Sequence, residues 1–149
     1  MNKKENIGET SGIQGDGRME NNIFESDLNT TSNIYAVFED DGITGWVYLY
    51  DNENSCIVAD CWIYNASEAN HRSREERKDV PPPLPKEYLV DDPILIKNVK
   101  DIRFKWSDDG YAVNVIINGY IIAYIDLCTS KSYNVNIKTS CPWGNPLTL

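Results

Sequence analysis

Between Val99 and Ser107 the chain alternates apolar and charged residues. Ile102, Phe104 and Trp106 fall on one side, and Arg103 and Lys105 on the other. A period of two belongs to a strand with one buried face, and it commits this half of the chain to β structure. The rhythm returns in Tyr111–Ile117, where Val113, Val115 and Ile117 share a face. Asn118-Gly119 follows, the dipeptide best suited to a two-residue hairpin turn. Tyr120–Leu127 and Ser132–Lys138, separated by Thr129-Ser130-Lys131, complete four strands. Upstream, Ile34–Glu39, Thr44–Asp51 and Ser55–Tyr64 form three more, joined by Asp40-Asp41-Gly42 and Asp51-Asn52-Glu53-Asn54. The expected fold is mostly β: an antiparallel meander of about seven strands, curving into a strongly bent sheet or open barrel over its own core. A two-sheet sandwich is the alternative.

Two stretches interrupt this pattern. Residues 1–33 are rich in Asn, Gly, Ser, Thr and Glu. They carry too little apolar surface to offset the entropy of ordering, so we expect a disordered tail. Ile23, Phe24 and Leu28 are its candidates for docking near the end, and Met19 is an alternative start. Residues 34–149 are then one β-rich domain. Within it, residues 65–98 form a long irregular excursion: a mixed-charge run from Glu68 to Asp79, then Pro81-Pro82-Pro83-Leu84-Pro85, which favours polyproline II. We read that run as a stiff surface segment in preference to a ligand for a proline-binding module. Ile94, Leu95 and Ile96 are the expected return anchor. The ending Cys141-Pro142-Trp143-Gly144-Asn145-Pro146 is irregular, with Trp143 as an aromatic anchor.

The formal net charge is −9, of which the tail contributes −3 and the remainder −6. Such a surface repels phosphate backbones and anionic membranes, so nucleic acid and membrane are not expected partners. A basic protein is electrostatically suited, and long-range attraction would speed its association. Met1–Thr10 is polar with no apolar stretch behind it, and no run is long enough to span a bilayer, so a cytoplasmic location is expected. The sequons at Asn29–Thr31 and Asn65–Ser67 then carry no meaning. Cys56, Cys61, Cys128 and Cys141 lack CxxC spacing, and His71 is the only histidine. We therefore expect free thiols, no metal site and no cofactor.

The usual catalytic constellations are missing. There is no Gly-rich phosphate loop and no GxSxG elbow, and a nucleophile–histidine system would rest on His71 within the charged run. Carboxylates offer the remaining route, through Asp60, Asp126 and the acidic turn Glu39-Asp40-Asp41. A glycosidase-like pair would need two of them to converge in a cleft. Aromatic residues are the stronger signal. Trp46, Tyr48 and Tyr50 share one face of their strand, with Val47 and Leu49 on the other. Trp62 and Tyr64 are read as sharing a face of the next, and Tyr120 and Tyr124 as sharing one of a later strand. Such rings fill cores, but exposed they form an amphipathic partner surface. The candidate binding residues are Glu39, Asp40, Asp41, Trp46, Tyr48, Tyr50, Asp60 and Trp62, with no catalytic or metal-binding residue among them.

Phe38-Glu39-Asp40-Asp41-Gly42, Thr44-Gly45, Trp62-Ile63-Tyr64-Asn65, Trp106-Ser107-Asp108-Asp109-Gly110 and Ile117-Asn118-Gly119 occur in that order. This series resembles a family of small bacterial proteins catalogued as a domain of unknown function, over roughly Ile34 to Tyr133. The shared motifs are mainly turns and strand edges, so the resemblance implies fold and no established reaction. Small acidic bacterial proteins of this kind are often immunity proteins, which bind a toxin and perform no chemistry. The expectation is therefore a non-catalytic protein-binding domain, of immunity (antitoxin-like) type, facing a basic protein such as a toxin. A small-ligand-binding β-barrel and a carboxylate-dependent enzyme are the alternatives.

Overall fold

A computed structural model describes residues 23–66, 84–91 and 99–148. The chain forms β1 (Ile23–Asn29), β2 (Ile34–Asp40), β3 (Thr44–Asp51) and β4 (Cys56–Asn65). A short 3-10 helix at Lys86–Tyr88 follows. Then come β5 (Ile102–Trp106), β6 (Ala112–Ile117), β7 (Tyr120–Asp126), β8 (Lys131–Asn134) and β9 (Asn145–Pro146). The strands make two sheets, one ordered β1-β2-β3-β4 and the other β9-β8-β7-β6-β5. All neighbouring pairs are antiparallel except β9 with β8, which is parallel.

The expected single curved sheet or open barrel of seven strands is thus replaced by two sheets containing nine described strands. Phe38, Val47, Leu49 and Ile63 from the first sheet pack against Val113, Val115, Ile117 and Ile125 from the second, in one continuous core. The sheets approach at both seams without joining their ladders. At one seam Trp106 Nε1 donates to Asp27 Oδ2 at 2.9 Å, and a cleft of about 210 Å³ remains between Ile23, Glu25 and Lys100–Ile102. At the other, the buried Asn134 side chain donates to the carbonyls of Trp62 and Ile63 at 3.1 and 2.9 Å. Side chains rather than ladder hydrogen bonds close these edges, which is why no barrel forms.

The tail boundary is also corrected. Ile23–Asn29 pairs along its whole length with β2, from Ile23 opposite Asp40 to Asn29 opposite Ile34. Residues 23–33 therefore belong to the domain, and residues 1–22 lie outside those described. The strand escaped its sequence pattern because Glu25 and Asp27 take positions across from the inward-facing Phe38 and Ala36. An edge strand with polar side chains on both faces has no apolar alternation to read.

Residues 67–83 and 92–98 of the excursion, including the charged run, Pro81–Pro83 and the expected anchor Ile94–Ile96, are outside the described residues. Among the described residues, Leu84 anchors the segment. Leu84 is fully buried against Trp62 and Ile137, flanked by Tyr88, Leu89 and Trp143. Its backbone N–H donates to Asn65 Oδ1 at 2.8 Å, and its carbonyl accepts from Asn65 Nδ2 at 3.0 Å. Pro85 (φ −62°, ψ 146°) is extended in the polyproline manner. Val90 N–H donates to the Asn136 carbonyl and Lys138 N–H to the Tyr88 carbonyl, which fastens this segment to the C-terminal stretch.

Candidate functional site

Three of the five resemblance motifs, Phe38–Gly42, Thr44-Gly45 and Trp62–Asn65, meet in one structural knot. Asp40 Oδ1 accepts from Gly42 N–H at 2.7 Å, and Asp41 Oδ1 accepts from the N–H groups of Ile43 and Thr44 at 2.8 and 3.0 Å. Gly42 supplies the positive φ of this turn. The second Asp40 oxygen accepts from the Tyr64 hydroxyl at 2.5 Å inside the protein. The Tyr64 ring lies over Gly45, where an added Cβ would sit 2.8 Å from it. Trp62 Nε1 donates to Asn65 Oδ1 at 2.9 Å. The acidic turn is thus mainly a folding device: Asp40 and Asp41 face backbone amides and a buried phenol, and only Glu39 points to solvent.

Burial pushes the Asp40 carboxyl above its ordinary value, outweighing the hydrogen bonds from Tyr64 and Gly42 that favour ionisation. The same burial, reinforced by the Asp40 carboxylate, raises Tyr64 strongly. A carboxyl with a raised folded-state value is penalised once ionised. The penalty is absent below the unfolded value near 3.8 and grows as pH rises through the folded one. Asp40→Asn keeps an acceptor for Gly42 and Tyr64 but cannot ionise. Its stability relative to the wild type should therefore rise between pH 4 and pH 7 in urea unfolding. A constant difference, or one sloping the other way, contradicts this assignment.

The register shift between Gly45 and Trp46 separates Trp62 from Tyr64. Gly45 pairs with Tyr64 and Trp46 with Trp62, so Ile63 is the extra residue. Tyr64 enters the main core, whereas Trp62 lies in the second cluster under Leu84. The expectation that these two rings share a face is therefore corrected, and Trp62 is too buried for a partner to touch.

The remaining candidates form a surface. Val47 and Leu49 point into the core, which turns Trp46, Tyr48 and Tyr50 to the outer face of the first sheet, each half-buried. Cross-strand register places Glu39 beside Trp46, Asp60 beside Tyr48 and Tyr35 beside Tyr50. Phe24 of β1 stands next to Glu39 and is 66% exposed. The Trp46 and Tyr48 rings lie nearly parallel, 6.4 Å between centroids. Partial burial, then the charges of Glu39, Asp60 and Asp41, raise the Tyr48 phenol. Burial is the larger cause, and the neighbouring carboxylates add to it. Tyr35 is not among the candidates drawn from the sequence, and Phe24 is there only a docking residue of the tail, because their place on this face depends on β1–β2–β3 register.

Asp60 also borders a cleft of about 420 Å³ between β4 and the β8–β9 region. No other carboxylate is among its described lining residues, and no aromatic ring is either. Asp126 stands apart, its Oδ1 accepting from Cys128 N–H at 2.9 Å. The carboxylates proposed for catalysis therefore do not converge in this cleft. All four cysteines are free; burial pushes the Cys61 thiol up to about 12. Among the described residues no group of three or more metal-ligating side chains is gathered, and no helix is long and apolar enough to cross a membrane.

No curated protein and no solved structure matches the chain. The matched part of the sequence begins before β1 and takes in the Phe38–Gly42, Thr44-Gly45 and Trp62–Asn65 motifs, while Trp106–Gly110 and Ile117–Gly119 lie beyond it. Over residues 18–80 the chain matches the model of a family described as an uncharacterised protein conserved in bacteria (DUF2251), and it resembles that family there.

Proposed function

We propose that this protein is a non-catalytic binding domain that engages a cationic protein surface through the outer face of its first sheet. The observation that carries this reading is the cross-strand grid in which Trp46 and Tyr48 are flanked by Glu39 and Asp60, with exposed Phe24 at its margin. Aromatic rings bury large areas at little entropic cost and attract guanidinium and ammonium groups. The flanking carboxylates, on a chain of net charge −9, add steering and orientation. Stoichiometric capture of a basic toxin, the immunity role, is the form of this function that we favour. It needs only a surface, consistent with the dispersed carboxylates.

Affinity capture with the wild-type protein and a Glu39→Lys/Asp60→Lys variant tests the reading. Neither residue holds the core, so both proteins should unfold at similar urea concentrations. A basic partner retained by the wild type at low salt should be lost by the variant, with affinity falling about 100-fold. Equal retention of the same partner by both proteins, or retention insensitive to salt, contradicts it.

A further inference from the structure

The first sheet and its turns, residues 23–66, hold eight Asp and Glu and no lysine, arginine or histidine. Two of these carboxylates stand on the outer face beside an aromatic ring. Glu39 is paired in register with Trp46, and Asp60 with Tyr48. The β3–β4 register is unbroken from Trp46 to Leu49, so sheet geometry fixes how the two pairs are related. Neighbouring strands lie about 4.8 Å apart, and each residue advances a strand by about 3.4 Å. Glu39 and Asp60 flank β3, two strands and two residues apart, which separates their Cα atoms by about 12 Å along a diagonal of the face. The near-parallel Trp46 and Tyr48 rings lie between them. Both carboxylates are exposed. Among the described residues neither has an ion-pair partner; the ion pair found there joins Arg103 to Asp101. Lys131 of the second sheet borders the cleft beside Asp60 without pairing with it.

We infer that this face recognises two arginines of one partner protein held about 12 Å apart, one for each ring–carboxylate pair. A guanidinium can lie flat on an aromatic ring and still offer its edge N–H groups to a carboxylate beside that ring. A lysine ammonium is a compact point charge and cannot do both with the same fit. One cation cannot serve both sites, because an ion pair needs contact within about 4 Å. On a partner helix the spacing is met by positions i and i+7, about 10.5 Å apart along the axis. On a partner strand it is met by i and i+4, about 13 Å apart. Phe24, next to Glu39 in the register, gives one of the two sites an apolar margin. The inference rests on the cationic-partner reading and adds the number, the spacing and the kind of the cations.

NMR titration of the whole chain tests this with three helical alanine–glutamine peptides of equal length and charge. They carry arginines at i and i+7, arginines at i and i+4, or lysines at i and i+7. The first should shift the Trp46 indole and the Tyr48 and Asp60 amides together. It should bind about fivefold more tightly than the second, the gain expected of one further exposed ion pair. The lysine peptide should also bind more weakly than the first. Glu39→Gln and Asp60→Asn should each bring the first peptide down to the affinity of the second. Equal binding of all three peptides, weakened in the Glu39→Gln/Asp60→Asn double variant, would overturn the inference while leaving the cationic-surface reading intact. Binding of none, or binding that the double variant leaves unchanged, overturns both. Urea unfolding of the peptide-free double variant is the second measurement. Its midpoint should match or exceed that of the wild type. A lower midpoint would mean that the two carboxylates are already paired within the chain, which overturns the inference.

Discussion

Replacing Asn134 with alanine is expected to destabilise the domain by about 3 kcal/mol, the summed loss of three buried hydrogen bonds at roughly 1 kcal/mol each. Asn134 is fully buried in β8. Its Nδ2 bridges to the Trp62 and Ile63 carbonyls across the seam, and its Oδ1 accepts from Asn136 N–H at 2.8 Å. No ladder hydrogen bonds join β4 to β8, so this side chain fastens the two sheets there. Alanine would leave two β4 carbonyls without these donors in a space water enters poorly. Urea unfolding should show a midpoint about 2 M lower, given a slope of roughly 1–2 kcal/mol/M for a domain of this size. A midpoint change below about 0.5 M would show that the seam is held by apolar packing alone.

Gly110→Ala should cost about as much by a different route. Gly110 has φ +78°, and an added Cβ would sit 2.5 Å from Asn29 Oδ1 and 2.6 Å from Ser32 Oγ. Neither atom is free to retreat. Asn29 Oδ1 accepts from the backbone N–H groups of Thr31 and Ser32, both at 3.0 Å, and so shapes the β1–β2 turn. The left-handed backbone contributes about 1–2 kcal/mol, and the overpacking adds about 1–3 kcal/mol. Gly119→Ala is the internal comparison. Gly119 has φ +88° but nothing within 4 Å of an added Cβ, so it should lose only the backbone share. Thermal unfolding of the two variants should therefore differ, with Gly110→Ala melting lower. Equal melting temperatures would mean that the contact between the two turns carries no energy.

Most strands with apolar alternation lie within a residue or so of their expected bounds, whereas Val99–Ser107 is observed only as Ile102–Trp106 and Ser132–Lys138 as Lys131–Asn134. Thr44–Asp51 is observed with the bounds expected, and Ile102, Phe104 and Trp106 all pack against the core as their spacing demanded. Their pattern is local, because consecutive side chains of any strand must point to opposite faces. β1 lacked that signal, with Glu25 and Asp27 on its inner side. The separation of Trp62 from Tyr64 was hidden as well, because a bulge is a relation between two strands and not a property of one.

The candidate site divides along the same line. That Trp46, Tyr48 and Tyr50 share a face follows from their spacing alone. Which side of the sheet they occupy was settled by Val47 and Leu49 meeting the second sheet. The acidity of Glu39-Asp40-Asp41 was plain in the sequence, but its three carboxylates part ways in the structure. Asp40 reaches a tyrosine 24 positions away, Asp41 binds its own turn, and Glu39 joins the outer face. Charge and local rhythm are written in the chain. The partner of a buried carboxylate, and the seam left open beside β4, arise only when strands far apart in sequence pack against each other.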